Sequence, residues 1–102
     1  MRLFRGDTFY KKITSNDYAF KVGDKLHIAV LENSYSNRYL HEQLIEVKSE
    51  TEDVVLEILP DETSKFPVGI LLLEIELTST SGIVKTNQYE LTIKADGIYE
   101  RN

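Results

Sequence analysis

Leu71-Leu72-Leu73-Glu74-Ile75-Glu76-Leu77 is the stretch of sequence that decides the fold. Its odd-numbered positions are all apolar, whereas two of its three even-numbered positions are glutamate. Successive side chains of a β-strand point to opposite faces, so this alternation predicts a long strand with one buried face. Leu72 makes the start of the stretch apolar on both faces, which predicts that this end of the strand is covered on both sides.

The same period of two recurs along the rest of the chain. It is clear in Tyr89–Lys94, Leu26–Val30 and Val54–Ile58, and weaker in Thr8–Thr14 and Leu40–Lys48. Together these stretches predict about seven short strands, and no window predicts an amphipathic helix of ten residues or more.

Turn-forming residues separate the apolar stretches at the spacing of a strand meander. They lie at Ser15-Asn16-Asp17, Val22-Gly23-Asp24, Asn33–Asn37, Pro60–Gly69, Ser79–Gly82 and Ala95-Asp96-Gly97. In the fourth of these segments, residues 61–65 can form a single helical turn after Pro60.

The predicted fold is an all-β, immunoglobulin-like antiparallel sandwich of about seven strands, in a single domain that covers residues 1–102. Two packed sheets cover each other's apolar faces, whereas one open sheet leaves a face exposed. A small β-barrel is the alternative, because periodicity does not distinguish the two. The chain has no Trp and no Cys, so it is not an antibody-type domain, in which a disulfide packs on a tryptophan.

Composition excludes several classes of function. The absence of cysteine excludes disulfides, thiolate metal sites and cysteine nucleophiles. A net charge of −5 argues against nucleic acid as a partner, because such binding depends on clustered Lys and Arg. The longest apolar run, Val68–Leu73, is too short to span a membrane, and the N-terminus lacks the apolar stretch of a secretory signal. We therefore expect a protein made in the cytoplasm.

The sequence predicts no catalytic residue, no metal ligand and no cofactor. His27 and His41 each lack a second histidine at ligand spacing. His41 and Glu42 are adjacent on a predicted strand, so their side chains point to opposite faces. Glu74 and Glu76 share a face, which is typical of a solvated acidic surface that keeps a sheet soluble. No phosphate-binding loop or nucleophile motif is present.

Tyrosine is the over-represented aromatic residue, with six copies. Tyrosine and arginine are common anchors of protein interfaces, which makes the loop containing Tyr35, Arg38 and Tyr39 a candidate contact surface. The alternative for a tyrosine is a core position with a hydrogen-bonded hydroxyl, which suits Tyr89 and Tyr18. The full set of candidate interface residues is Arg5, Tyr10, Tyr35, Arg38, Tyr39 and Tyr99.

Arg5-Gly6-Asp7 has the form of an integrin-binding tripeptide. Three residues recur by chance so often that the match carries little weight. A tight turn that leads into the strand beginning near Thr8 is the simpler interpretation.

Four short motifs together resemble a known family. They are Arg5-Gly6-Asp7-Thr8-Phe9, Asp17-Tyr18-Ala19-Phe20 with Gly23-Asp24, Leu59-Pro60-Asp61-Glu62-Thr63 with Pro67 and Gly69, and Gly82-Ile83-Val84-Lys85-Thr86. Their order is similar to that of small prophage structural proteins of Gram-positive bacteria, especially the N-terminal β-sandwich of the phage baseplate upper protein. The chain departs from the pattern at Ile70, where relatives often have tyrosine, and at Asn87-Gln88, where a glycine is common.

The third motif is the most specific of the four, and it predicts a structural corner. Thr63 or Asp61 can bond to unpaired backbone groups, Pro67 stiffens the return of the chain, and Gly69 permits a bend. With Glu62, these residues form the predicted structural turn.

The resemblance implies a non-enzymatic structural protein of a phage or prophage tail or baseplate. It implies assembly with other tail proteins or with copies of itself, and a place in the virion. The alternative hypothesis is a small ligand- or carbohydrate-binding β-sandwich module, in which exposed tyrosines stack on the ligand.

Overall fold

The computed structural model describes residues 1–14, 18–36, 38–51 and 53–95. Four predicted features therefore lie wholly or partly outside the described residues: the turn at residues 15–17, the end of the loop at Asn37, the turn at Asp96-Gly97, and Tyr99.

The described chain contains seven strands and one short helix. The strands are β1 (Arg2–Phe4), β2 (Phe9–Thr14), β3 (Lys25–Leu31), β4 (Tyr39–Glu46), β5 (Asp53–Ile58), β6 (Gly69–Thr78) and β7 (Val84–Lys94), and the helix is α1 (Pro60–Thr63). No helix in the described part of the chain is long and apolar enough to cross a membrane.

The strands form two sheets of unequal size. The larger sheet has the order β1-β7-β6-β3-β4, and the smaller one pairs β2 with β5. Apolar side chains from both sheets form one buried core, which includes Leu26, Ile28 and Val30 from β3, Leu71, Leu73 and Ile75 from β6, Leu91 and Ile93 from β7, and Phe9, Leu56 and Ile58 from the smaller sheet. The predicted all-β sandwich of about seven strands is confirmed.

The strand that decides the fold lies in the middle of the larger sheet. β6 pairs antiparallel with β3 on one side and with β7 on the other. Leu71, Leu73 and Ile75 are buried, and Glu74 and Glu76 lie on the outer face. The alternation in the sequence therefore gives the buried face of β6 correctly.

Two features of the sheets differ from the prediction. β1 was not predicted, because three residues are too few to show a period of two, and its pairing with β7 is parallel rather than antiparallel. β7 begins at Val84, five residues before the predicted strand. Residues 84–88 are exposed on both faces, so they carry no apolar pattern, and they are held by their pairing with β6.

The segment that follows β5 forms the corner at one end of the sandwich. Leu59 precedes α1, whose single turn begins with Pro60. The hydroxyl of Thr63, which is fully buried, donates a hydrogen bond to the carbonyl oxygen of Asp7 at 2.7 Å. Phe66 is buried just beyond the helix, and Gly69 adopts a φ of +138° where β6 begins. The corner thus ties the smaller sheet to the turn that follows β1.

Candidate functional site

The chain passes from the larger sheet to the smaller one between β1 and β2. Residues 5–7 form the predicted tight turn, in which the Asp7 N–H donates to the Phe4 carbonyl at 3.1 Å and Gly6 adopts a φ of +90°. β1 then pairs with β7, and β2 pairs with β5. Each of the two strands keeps one edge to which no other strand of the described chain is paired.

A cleft of about 350 Å³ lies between β1 and β2. We call it the seam, and it is lined by Met1, Arg2, Leu3, Thr8, Phe9, Tyr10 and Lys11. Leu3 and Phe9 are buried and belong to the core, whereas Tyr10 is 64% exposed. The seam therefore combines an apolar base with an exposed aromatic side chain.

Two contacts hold the strands that flank the seam. Near the turn, the bond from Thr63 to the Asp7 carbonyl fixes the start of β2. Further along β2, the Lys11 ammonium lies 4.8 Å from the centre of the Tyr89 ring on β7, a cation–π contact between the two sheets. The seam is thus a preformed feature of the sandwich.

The seam is basic in an otherwise acidic protein. Arg2, Lys11 and the amino group of Met1 lie along it, and none of the residues that line it is acidic. The amino group of Met1 donates to the carbonyl of Glu90 at 3.5 Å, which places this charge beside β7. Residues 1–14 contain four basic side chains and one acidic one, a net charge of +3 in a chain whose net charge is −5.

An open strand edge offers unpaired N–H and C=O groups to an added strand. Such β-augmentation binds an extended peptide through its main chain, and neighbouring side chains supply specificity. At the seam, Arg2, Tyr10 and Lys11 provide those side chains. The open edges and these side chains therefore suit the binding of an extended polypeptide.

The five predicted interface residues that the structure describes form two groups. Arg5 and Tyr10 lie at or beside the seam, whereas Tyr35, Arg38 and Tyr39 lie in or next to the β3–β4 connection at the other edge of the larger sheet. Sequence reasoning missed Arg2 and Lys11. The clustering of basic residues near the N-terminus was the signal that could have found them.

The β3–β4 connection exposes one aromatic side chain almost completely. Tyr35 is 92% exposed, and its N–H donates to the Asn33 side chain at 2.9 Å. Tyr39 is 47% exposed, and its ring meets the His27 ring edge to face, with 5.9 Å between the ring centres. This loop is a second exposed surface, distinct from the seam.

The two histidines lie on opposite faces of the larger sheet. His27 Nε2 lies 2.6 Å from Glu42 Oε2 on the outer face. His41 Nε2 lies 2.6 Å from the Gln43 side-chain oxygen, and its ring packs edge to face against the buried Phe66. Within the described residues, no group of three or more His, Asp or Glu side chains is placed to hold a metal ion.

Asp24 forms a buried polar junction at the opposite end of β6 from the seam. Its carboxylate accepts hydrogen bonds from the Tyr18 hydroxyl at 2.6 Å, the Lys21 N–H at 2.8 Å and the Thr80 N–H at 3.1 Å. Burial alone raises the pKa of a carboxyl, but these donors hold the pKa of Asp24 below its ordinary value of 3.8. The same bond to Asp24 raises the pKa of Tyr18. This junction is not visible in the sequence, because Asp24 resembles any other turn residue.

No protein-family model and no curated protein sequence matches this chain. Among solved structures, the crystal structure of CopC from Methylosinus trichosporium OB3b is similar, with a TM-score of 0.54 and 14% sequence identity. The match covers 84% of this chain and 76% of that one. At this identity the likeness concerns the β-sandwich fold alone.

Proposed function

We propose that this protein is a non-enzymatic assembly component of a phage or prophage tail or baseplate, and that it acts through protein–protein contacts at the seam. The tail assignment rests on the resemblance of its four turn motifs to the baseplate upper protein family. The proposed mode of action rests on one observation, the preformed basic seam between two open strand edges.

The seam suits a polypeptide partner for a physical reason. Backbone groups along the open edges of β1 and β2 can pair with an added strand, and Arg2 and Lys11 favour acidic side chains on it. Tyr10 contributes a large side chain that is already exposed, and tyrosine loses little conformational entropy on binding.

Co-expression with the proteins encoded by the flanking genes tests this proposal. We expect the tagged protein to co-purify with at least one of them. The double variant Tyr10→Ser, Lys11→Glu should lose that partner, and the matched variant Tyr35→Ser, altered at the other exposed loop, should keep it. A protein that stays monomeric and captures none of these partners would overturn the proposal.

The nearly complete exposure of Tyr35 favours a second candidate function, a carbohydrate-binding module. Exposed aromatic rings can stack on the apolar faces of sugars. Tyr39, the first residue of β4, is also partly exposed, at 47%. A glycan array tests this candidate. A carbohydrate-binding function predicts that glycan binding is lost in Tyr35→Ala and in Tyr39→Ala. Unchanged binding in either variant would exclude this function.

A further inference from the structure

We infer that copies of this chain associate head to tail, with the seam of one copy against the open edge of β4 in the next. This inference deepens the proposed function and rests on it, since it names a second copy of the chain as a partner of the seam. It is carried by the separation of charge between two open edges of one sheet.

The open edge of β4, which we call the acidic edge, is opposite in charge to the seam. β4 contains Glu42 and Glu46 and no Lys or Arg. Leu44 lies between these glutamates on the same face and is 61% exposed. An acidic, partly apolar edge complements a basic seam that has an apolar base.

Over Glu42–Glu46, β4 also has little of the usual protection of an edge strand. It is eight residues long and contains neither proline nor lysine, the residues that commonly discourage edge-to-edge pairing. A register shift between Val30 and Leu31 affects its start, but the pairing of β3 with Glu42–Glu46 is regular. No strand of the described chain pairs with the other side of this regular part, so its backbone groups can pair with an added strand.

The two complementary edges do not meet within one molecule. β1 and β4 are the first and last strands of the five-stranded sheet, separated by four strand spacings, or about 19 Å. Contact between them therefore requires a second copy. Such a contact uses different surfaces on the two copies, so it is heterologous and generates a ring or an open chain.

Sedimentation velocity over a dilution series tests the inference directly. At 0.1 M salt we expect the weight-average sedimentation coefficient to rise with protein concentration. At 1 M salt the association should weaken by about tenfold or more, because the screening length falls from about 10 Å to about 3 Å.

Charge reversal identifies the surfaces. Arg2→Glu alters the seam, and Glu46→Lys alters the acidic edge without touching the His27–Glu42 pair. Each should weaken association by about tenfold. Lys85→Glu is the matched control, because it makes the same charge change as Arg2→Glu at an exposed position of β7 and should leave association unchanged.

Mixing the seam variant Arg2→Glu with the edge variant Glu46→Lys distinguishes a head-to-tail contact from a symmetric one. The Arg2→Glu copy keeps its native acidic edge, and the Glu46→Lys copy keeps its native seam, so the mixture should associate more strongly than either variant alone. A protein that is monomeric at every concentration in 0.1 M salt would overturn the inference, as would association that Arg2→Glu and Lys85→Glu weaken equally. A monomer that still captures a flanking-gene product would leave the proposed function standing.

Discussion

The polar junction around Asp24 and the seam between β1 and β2 lie at opposite ends of the long β6–β7 hairpin. They differ in whether their polar groups are hydrogen-bonded within the protein or exposed. At the junction, a buried carboxylate receives three hydrogen bonds, and no buried side-chain polar atom of the described chain lacks a partner. At the seam, two strand edges have no paired strand in the described chain, and Arg2 and the amino group of Met1 are exposed. The contrast indicates that the junction maintains the fold and that the seam is available for binding.

Replacing Asp24 should produce the largest change in stability. Asp24→Ala leaves the Tyr18 hydroxyl and the Lys21 and Thr80 N–H groups without their acceptor, and we expect a loss of about 3 kcal/mol in the free energy of unfolding. Urea denaturation measures this loss. Glu50→Ala, at an exposed loop position, is the control and should change stability by less than about 0.5 kcal/mol. Equal effects of the two changes would show that the junction is not an anchor.

Gly23 offers a smaller test at the same junction. It has a φ of +94°, and an added Cβ would lie 2.9 Å from the Thr80 side chain. Gly82 has a similar φ of +90° but nothing within 4 Å of an added Cβ. Gly82→Ala should therefore cost about 1 kcal/mol through backbone strain alone, whereas Gly23→Ala should cost about 2 kcal/mol. Thermal unfolding of the two variants measures the difference in stability loss. Equal losses would indicate that the Thr80 side chain lies too far from Gly23 to contact an added Cβ.

The pH dependence of stability should also depend on the junction. Because the pKa of Asp24 is lowered in the folded protein, its contribution to stability is present above pH 3.8 and is lost as the pH falls through the folded-state pKa. Urea midpoints should therefore decline below pH 3.8 more steeply for the native protein than for Asp24→Asn. Parallel curves for the two proteins would contradict this assignment.

Changes to the exposed side chains of the seam should have the smallest effect on stability. Tyr10 is 64% exposed, so Tyr10→Ser should change the free energy of unfolding by less than about 0.5 kcal/mol. The same variant should weaken partner capture, which a pull-down with flanking-gene products measures. A strongly destabilised Tyr10→Ser protein would show that Tyr10 stabilises the fold, as Asp24 does, and would contradict the distinction between the seam and the junction.

The sequence predicted the core of the fold because burial leaves a periodic signal. Alternating residues identified β6 and the second half of β7, and the two prolines and one glycine around Thr63 identified the corner. The first half of β7 left no such signal, because Val84–Gln88 is exposed on both faces. β1 is too short to show a period at all.

The candidate site was harder to predict because it depends on topology. The basic residues of the N-terminal segment are visible in the sequence, but their convergence follows from the placement of β1 and β2 in different sheets. Likewise, the opposition of the seam and the acidic edge follows from the strand order. The strand order also separates Tyr10, at the seam, from Tyr35 and Tyr39, which lie near the other edge of the larger sheet.

Amide hydrogen exchange at low and high protein concentration, in 0.1 M salt, tests the central claim most directly. The account predicts that amides of β1, β2 and β4 on the open edges become more protected as concentration rises, while the Lys21 and Thr80 amides bonded to Asp24 stay protected throughout. Protection that does not change with concentration at β1, β2 and β4 would contradict it.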